Sequence, residues 1–186
     1  MQGVGRKKFV LLDRDGTVIV NRHYQKDPAQ TELLPMAREG IAMLRGAGFG
    51  IIMVSNQSGI ARGLLTRAEA EAVNRSVIER LGEGKWLDGI YYCPHGPDDD
   101  CQCRKPRTGM VDRAAREHGF SPDESYVVGD SKADIELGHN IGGISVLVRT
   151  GYGEAAAAEA SVKPEYTADN LEDAARWILS REAGRG

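Results

Sequence analysis

The chain has 186 residues, 41% hydrophobic and 27% charged, with a net charge of −3. That is the length and composition of one ordinary globular domain with its own core. Scattered basic residues and few aromatics argue against a nucleic-acid partner, and no apolar run nears the roughly 18 residues of a membrane span. The segment Met1 to Lys8 carries charge, but no apolar stretch of a leader follows it. The three cysteines fall within one short segment, which suits a metal site in a reducing compartment better than a disulfide framework. A soluble, cytoplasmic, monomeric domain over residues 1–186 is therefore expected.

Phe9-Val10-Leu11-Leu12 reads as a strand buried on both faces, as in a parallel sheet covered by helices. It ends at Asp13-Arg14-Asp15-Gly16-Thr17. Ligands of such sheets bind beyond the carboxyl ends of the strands, where Asp13 falls. Gly16 permits a turn that lets Asp15 face the same pocket. Taken alone, the two carboxylates suit acid/base chemistry, a metal or a turn cap. Val18 to Leu34 has no steady period and reads as a loop above them, making Asn21, Arg22, His23 and Tyr24 candidate substrate contacts or simply a solvated connection. A helix opened by Pro35 runs through Ala37, Ile41 and Leu44 and stops at Gly46 and Gly48.

A second strand, Phe49 to Val54, runs into Ser55-Asn56-Gln57-Ser58-Gly59-Ile60-Ala61-Arg62-Gly63. This polar, glycine-punctuated turn offers hydroxyls, amides and backbone N–H groups to an anion such as phosphate, without the lysine of a P-loop. Thr66 and Glu69 predict a capping box on a helix to about Leu81. Asp88 to Tyr92 is a third strand. Tyr126 to Gly129, running into Asp130, is a fourth, so three strand ends present polar groups to one place. Gly109 to Gly119 reads as a helix. Asp130 and Asp134 open another that carries Ile135, Leu137 and Ile141; there, acidic residues also suit the helix dipole. Ile144 to Val148 is a fifth strand. Glu154 to Ser161 is a short exposed helix, and Leu171 to Leu179 closes the chain.

Between the third strand and the helix at Gly109, Cys93, His95, Cys101 and Cys103 place three thiols and an imidazole within eleven residues. Four N/S ligands match a closed tetrahedral zinc site, which leaves no position for chemistry. The zinc is assigned a structural role, holding the following Arg104-Lys105-Pro106 in place.

Asp13-Arg14-Asp15-Gly16-Thr17, Ser55 to Gly63, Tyr91-Tyr92-Cys93-Pro94-His95, Cys101-Gln102-Cys103-Arg104-Lys105-Pro106 and Gly129-Asp130 together resemble the haloacid dehalogenase-like (HAD-like) phosphatases, within them the histidinol-phosphatase and heptose-bisphosphate phosphatase group. The resemblance spans nearly the whole chain. It implies an α/β fold with a Rossmann-like, doubly wound parallel sheet, a zinc-binding loop and, given the short spacings from Asp15 to Ser55 and from Gly63 to Lys105, no large cap domain. It implies Asp13 as nucleophile and Asp15 as general acid/base, with Mg²⁺ held by the Asp13 side chain, the Asp15 carbonyl and Asp130. Ser55 and Lys105 would steady the phosphoryl oxygens. Arg104 and Gln57, with Asn56 and Ser58 of the same turn, would hold the substrate, a small phosphorylated sugar such as a heptose bisphosphate. Histidinol phosphate is the rival substrate; a polynucleotide phosphatase is disfavoured by the acidic balance, and a chemistry-free binding domain by the intact motifs. The sequence departs from the family in having Ser131-Lys132 where a basic residue usually follows Asp130, and in the short five-residue loop between His95 and Cys101.

Overall fold

A computed structural model describes residues 7–159, 161 and 163–184. Met1 to Arg6 of the charged N-terminal segment, and Ala160 of the expected Glu154–Ser161 helix, lie outside them. The described chain forms β1 (Phe9–Leu12), α1 (Ala37–Gly46), β2 (Gly50–Asn56), α2 (Arg67–Leu81), β3 (Gly89–Cys93), α3 (Gly109–His118), β4 (Tyr126–Gly129), α4 (Lys132–Asn140), β5 (Ile144–Val148), α5 (Gly153–Ala157), β6 (Tyr166–Ala168) and α6 (Leu171–Ala183). All strand pairs are parallel, in the order β3-β2-β1-β4-β5-β6. The chain builds outward from β1 in one direction, then returns beside it and builds in the other. The junction of β1 and β4 is therefore the switch point at which α/β sheets open a ligand crevice.

Alternation within the apolar runs feeds two cores. Val10, Leu12, Ile51, Met53 and Val128 face one layer with residues of α1, α2 and α6; Leu11, Ile52, Val54 and Val127 face the other with residues of α3 and α4. Both faces are dry, so these strands read as continuous apolar runs. Thr66 caps α2 through the expected box, its side chain accepting from Glu69 N–H while the Glu69 carboxylate accepts from Thr66 N–H.

Several expectations are corrected. Helix α1 starts at Ala37 rather than Pro35, because Met36 takes a left-handed φ of 65° between them. The helix placed over Glu154–Ser161 runs instead over Gly153–Ala157, and it is not simply exposed: Gly153 and Ala156 are buried, Ala156 beside Leu147 and Ile135. Strand β6 has no counterpart in the sequence reading, since three residues of mixed character carry no periodic signal. The long loop after β1 is not wholly irregular; it holds bridges from Ile19 to Asp15 and Leu33 and a 3-10 turn at Pro28–Gln30. Among the described residues nothing forms a cap domain over the sheet's carboxyl edge, and no helix is long and apolar enough to cross a membrane.

Candidate active site

Asp13 is the first residue beyond β1. Its N–H donates to Val128 O at 2.9 Å, so the β1–β4 ladder sets its backbone at the switch point. Lys105 arrives from the far side of the cysteine loop and is 4% exposed. Its Nζ donates to Asp13 Oδ1 at 2.6 Å, Asp134 Oδ1 at 2.6 Å and Val54 O at 2.9 Å. An ammonium has three N–H donors, and all three are used. Burial opposes the charge on Lys105, but the two carboxylates outweigh it and hold its pKa above the ordinary value.

The carboxylates are pushed the other way. Burial holds Asp13 well above the ordinary carboxylate range, with Asp134, Asp130 and Asp15 adding to the effect and Lys105 opposing it. Burial likewise raises Asp130 to about 7, against the pull of the Tyr152 N–H, which donates to its Oδ2 at 2.8 Å. Gly16 and Gly151 press on the same oxygen from two loops: a Cβ on either would lie 2.0 Å from Asp130 Oδ2. Their φ angles of +90° and +57° also favour glycine.

Asp15 is turned toward Arg14, a fully buried arginine 1% exposed. Arg14 Nε donates to Asp15 Oδ2 at 3.0 Å and Nη2 to Oδ1 at 3.2 Å, while Nη1 reaches Asn74 Oδ1 of α2 at 2.8 Å. Gln57 Nε2 donates to Asp15 Oδ2 at 2.9 Å and to Ser55 Oγ at 2.7 Å. Four carboxylates, those of Asp13, Asp15, Asp130 and Asp134, thus face two fixed cations, Lys105 and Arg14. One oxygen each from Asp13, Asp130 and Asp134 lie within 4.8 Å of one another. Asp134 is already engaged by Lys105 and by the Ser131 hydroxyl at 2.5 Å. Asp13 and Asp130 therefore keep the acceptor capacity, and this buried excess of hard oxygen donors fits a divalent cation.

The second cluster, Cys93, His95, Cys101 and Cys103, could also hold a metal ion. Its ligand atoms gather within 4.8 Å of one another: Cys93 Sγ is 3.6 Å from Cys101 Sγ, 3.1 Å from Cys103 Sγ and 3.6 Å from His95 Nδ1, and His95 Nδ1 is 3.3 Å from Cys103 Sγ. The segment after it is tied to the fold by Asn140 Nδ2, which donates to Pro106 O at 2.9 Å.

Two small cavities open over the carboxylates. One of about 170 Å³ is lined by Asp13, Asp15, Ser55, Lys105, Asp130 and Tyr152. The adjoining one, about 180 Å³, is lined by Asn21, His23, Tyr24, Gln57 and Ser58 among others, and shares Asp15, Asn21, Asn56 and Tyr152 with the first. A larger cavity of about 490 Å³ is lined by His95 and Cys103 of the cysteine cluster with Arg67 and Arg113, and includes none of these carboxylates.

Most of the residues singled out in the sequence therefore converge, with exceptions. Arg22 lines neither cavity and pairs with Glu32 at 2.6 Å. Arg104 lines neither, its Nη1 lying 3.4 Å from His95 O. Lys132 does not replace the missing basic residue after Asp130; it reaches Glu136 and Ser161 at the surface. Sequence reasoning missed Asp134, read as a helix-start acid, together with Arg14 and Tyr152. A usable signal existed for Arg14, since an arginine within an apolar-flanked motif must be paired if buried.

Residues 102–174 match the HAD-hydrolase-like family model. The D-glycero-D-manno-heptose-1,7-bisphosphate 7-phosphatase of Chlorobaculum tepidum is 38% identical, the alignment covering 96% of this chain and 98% of that one. The corresponding D-glycero-β-D-manno-heptose enzyme of Pseudomonas putida is 36% identical over 92% and 99%. A crystal structure of the D,D-heptose 1,7-bisphosphate phosphatase of B. bronchiseptica, complexed with magnesium and phosphate, superposes with a TM-score of 0.85 at 34% identity, covering 94% of this chain and 99% of that one. Fold and site thus define a HAD-like hydrolase. Within that class, the chain belongs to the heptose-1,7-bisphosphate 7-phosphatase family.

Proposed function

We propose that this protein removes the C7 phosphate of D-glycero-D-manno-heptose 1,7-bisphosphate through an aspartyl-phosphate on Asp13. The observation that carries the reading is the meeting of Asp13, Asp15, Lys105 and Asp130 along one cavity at the switch point, in a chain that aligns with such phosphatases over nearly its whole length. An Asp13 oxygen attacks phosphorus and the bond to the leaving oxygen breaks, splitting one hard hydrolysis into two easier steps. Lys105, fixed by three acceptors, offers preorganised positive charge beside the reacting oxygens. Ser55 adds a hydroxyl at the same wall. Asp15 protonates the leaving alkoxide and then takes a proton from the water that opens the acyl phosphate. At rest it is parked on Arg14 and Gln57; release from that fork is what frees it for proton transfer.

The Asp13 and Asp130 side chains and the Asp15 carbonyl would hold Mg²⁺. When bound, it supplies the charge that lets a carboxylate approach a phosphate dianion. Zinc is assigned to the cysteine cluster because three thiols and an imidazole, gathered within 4.8 Å of one another, supply the four N/S ligands of a closed tetrahedral site.

The deciding experiment compares kcat/KM for the heptose bisphosphate and for histidinol phosphate in Mg²⁺, with NMR of the product to locate the remaining phosphate. A preference of about a hundredfold for the sugar, with phosphate left on C1, is expected. Equal or inverted preference would overturn the substrate assignment and leave the phosphatase chemistry standing.

A further inference from the structure

The candidate reaction cleft is bordered by two rings that the phosphoryl chemistry does not use. Tyr152, on the loop after β5, and His23, on the loop after β1, meet with the phenol oxygen 3.3 Å from Nδ1 and 3.2 Å from Nε2 and ring centroids 6.1 Å apart. Tyr152 lines both cavities that hold Asp13, Asp15 and Gln57, and His23 lines the one with Gln57. A third cavity, about 230 Å³, is lined by Val20, Asn21, Leu34 and Gly151 as well as by the two rings. Tyr152 and Asn21 line all three spaces and His23 two of them; of these three, the two rings are the bulky side chains.

The arrangement is held from several directions. His23 and Tyr24 both adopt positive φ, 32° and 52°, although neither is glycine. Tyr24 is gripped on its far side by Arg62, whose Nη1 donates to the phenol oxygen at 3.0 Å, and by Gly59, where a Cβ would lie 2.6 Å from the Tyr24 ring. The backbone N–H of Tyr152 is fixed on Asp130. Its side chain, by contrast, has no role toward Asp130 and the residue is 49% exposed.

We propose that Tyr152 and His23 form a partition that sets the size of the leaving group. They confine the non-phosphoryl part of the substrate to the two cavities over the carboxylates and keep bulkier esters out of the third. This rests on the phosphatase reading of the same cleft and makes the two side chains specificity-determining rather than catalytic.

The test measures kcat/KM along a series of primary phosphate monoesters of rising size: a pentose 5-phosphate, a hexose 6-phosphate, the heptose bisphosphate and a disaccharide 6-phosphate. In Tyr152→Ala the ratio for disaccharide over heptose ester is expected to rise about tenfold. Tyr152→Phe, whose ring still fills the partition, should keep the wild-type profile. His23→Gly, which suits the positive φ, should shift the profile as Tyr152→Ala does, and the double variant should add little, because one wall is lost only once. An unchanged size profile in Tyr152→Ala, or one common factor of loss on every ester, would overturn the proposal. If the wild type prefers another ester to the heptose bisphosphate, the substrate assignment fails, while the shift between wild type and variant still decides on the partition.

Discussion

Asn56 grips the backbone of Lys105 from both sides: its amide nitrogen donates to Lys105 O at 3.1 Å and its amide oxygen accepts from Lys105 N–H at 3.0 Å. A side chain thereby pairs with that backbone as a strand would, at the tip of β2, beyond the point where the β1 ladder ends at Met53. The consequence is positional, since the ammonium that meets Asp13 is carried by a segment with little apolar anchorage of its own.

Replacing Asn56 with Ala should therefore slow chemistry more than it weakens binding. A displacement of about 1 Å at a reacting group can cost on the order of a hundredfold, so kcat is expected to fall by about that factor with a much smaller change in KM. Steady-state kinetics check it, and a loss confined to KM would make Asn56 a substrate contact instead.

Lys105→Met removes the buried cation and keeps the chain length. Single donors at a preorganised oxyanion site are worth about 10² to 10³ in rate, and that loss in kcat is expected. The variant should also be less stable in urea without metal, because Asp13 and Asp134 each lose a partner 2.6 Å away. Breaking a buried pair costs about 3 to 5 kcal/mol, here an upper bound since the freed carboxyls can take up protons. An unchanged midpoint with retained turnover would contradict the assigned role.

Asp13→Asn should abolish turnover while leaving the circular dichroism spectrum intact. Burial raises the folded-state pKa of Asp13, so ionising it costs stability above the unfolded-state value. Measurable phosphate release from this variant would remove Asp13 as nucleophile.

Magnesium binding should displace protons. With Asp130 raised to about 7 and Asp13 raised in the same direction, the metal-free site carries protons near neutrality that a cation must expel. Affinity should fall as pH drops below about 7, and calorimetry in buffers of different ionisation enthalpy should show proton release that fades by high pH. The same linkage makes the metal-free protein lose stability as pH rises from the unfolded-state carboxylate range toward the folded-state value, because over that window the folded state binds more protons. Binding independent of pH and of buffer would place the cation elsewhere.

Stripping zinc should reduce both melting temperature and kcat, because the cysteine cluster directly precedes Arg104 and Lys105. Cys103→Ser should do the same, with about one equivalent of zinc lost by elemental analysis. Native protein free of zinc would end this assignment.

The sequence made the first strand with its carboxylate end, the three polar strand ends and the cysteine loop legible, because each rests on a local pattern: an apolar run cut off by carboxylates, or thiols at ligand spacing. Asp134 was not legible. At the third position of a helix, an acid is explained by capping alone, and Ser131 does cap that helix with it; only the fold brings Lys105 to its other oxygen. Arg22 and His23 look alike as polar loop residues, and it takes Glu32 and Tyr152 to send one outward and the other to the cleft. Tyr152 lay in a loop whose direction is set by β5 and β6, the second of which left no periodic trace.

The carboxylate of Asp130 is aimed as much by what its neighbours lack as by what they offer. Gly16 and Gly151 sit on loops widely separated along the chain, yet both leave the same oxygen its room, so a single added methyl at either would shove it aside. Anyone randomising the rim to change substrate range therefore has Tyr152 and His23 to vary, with these two positions left as they are.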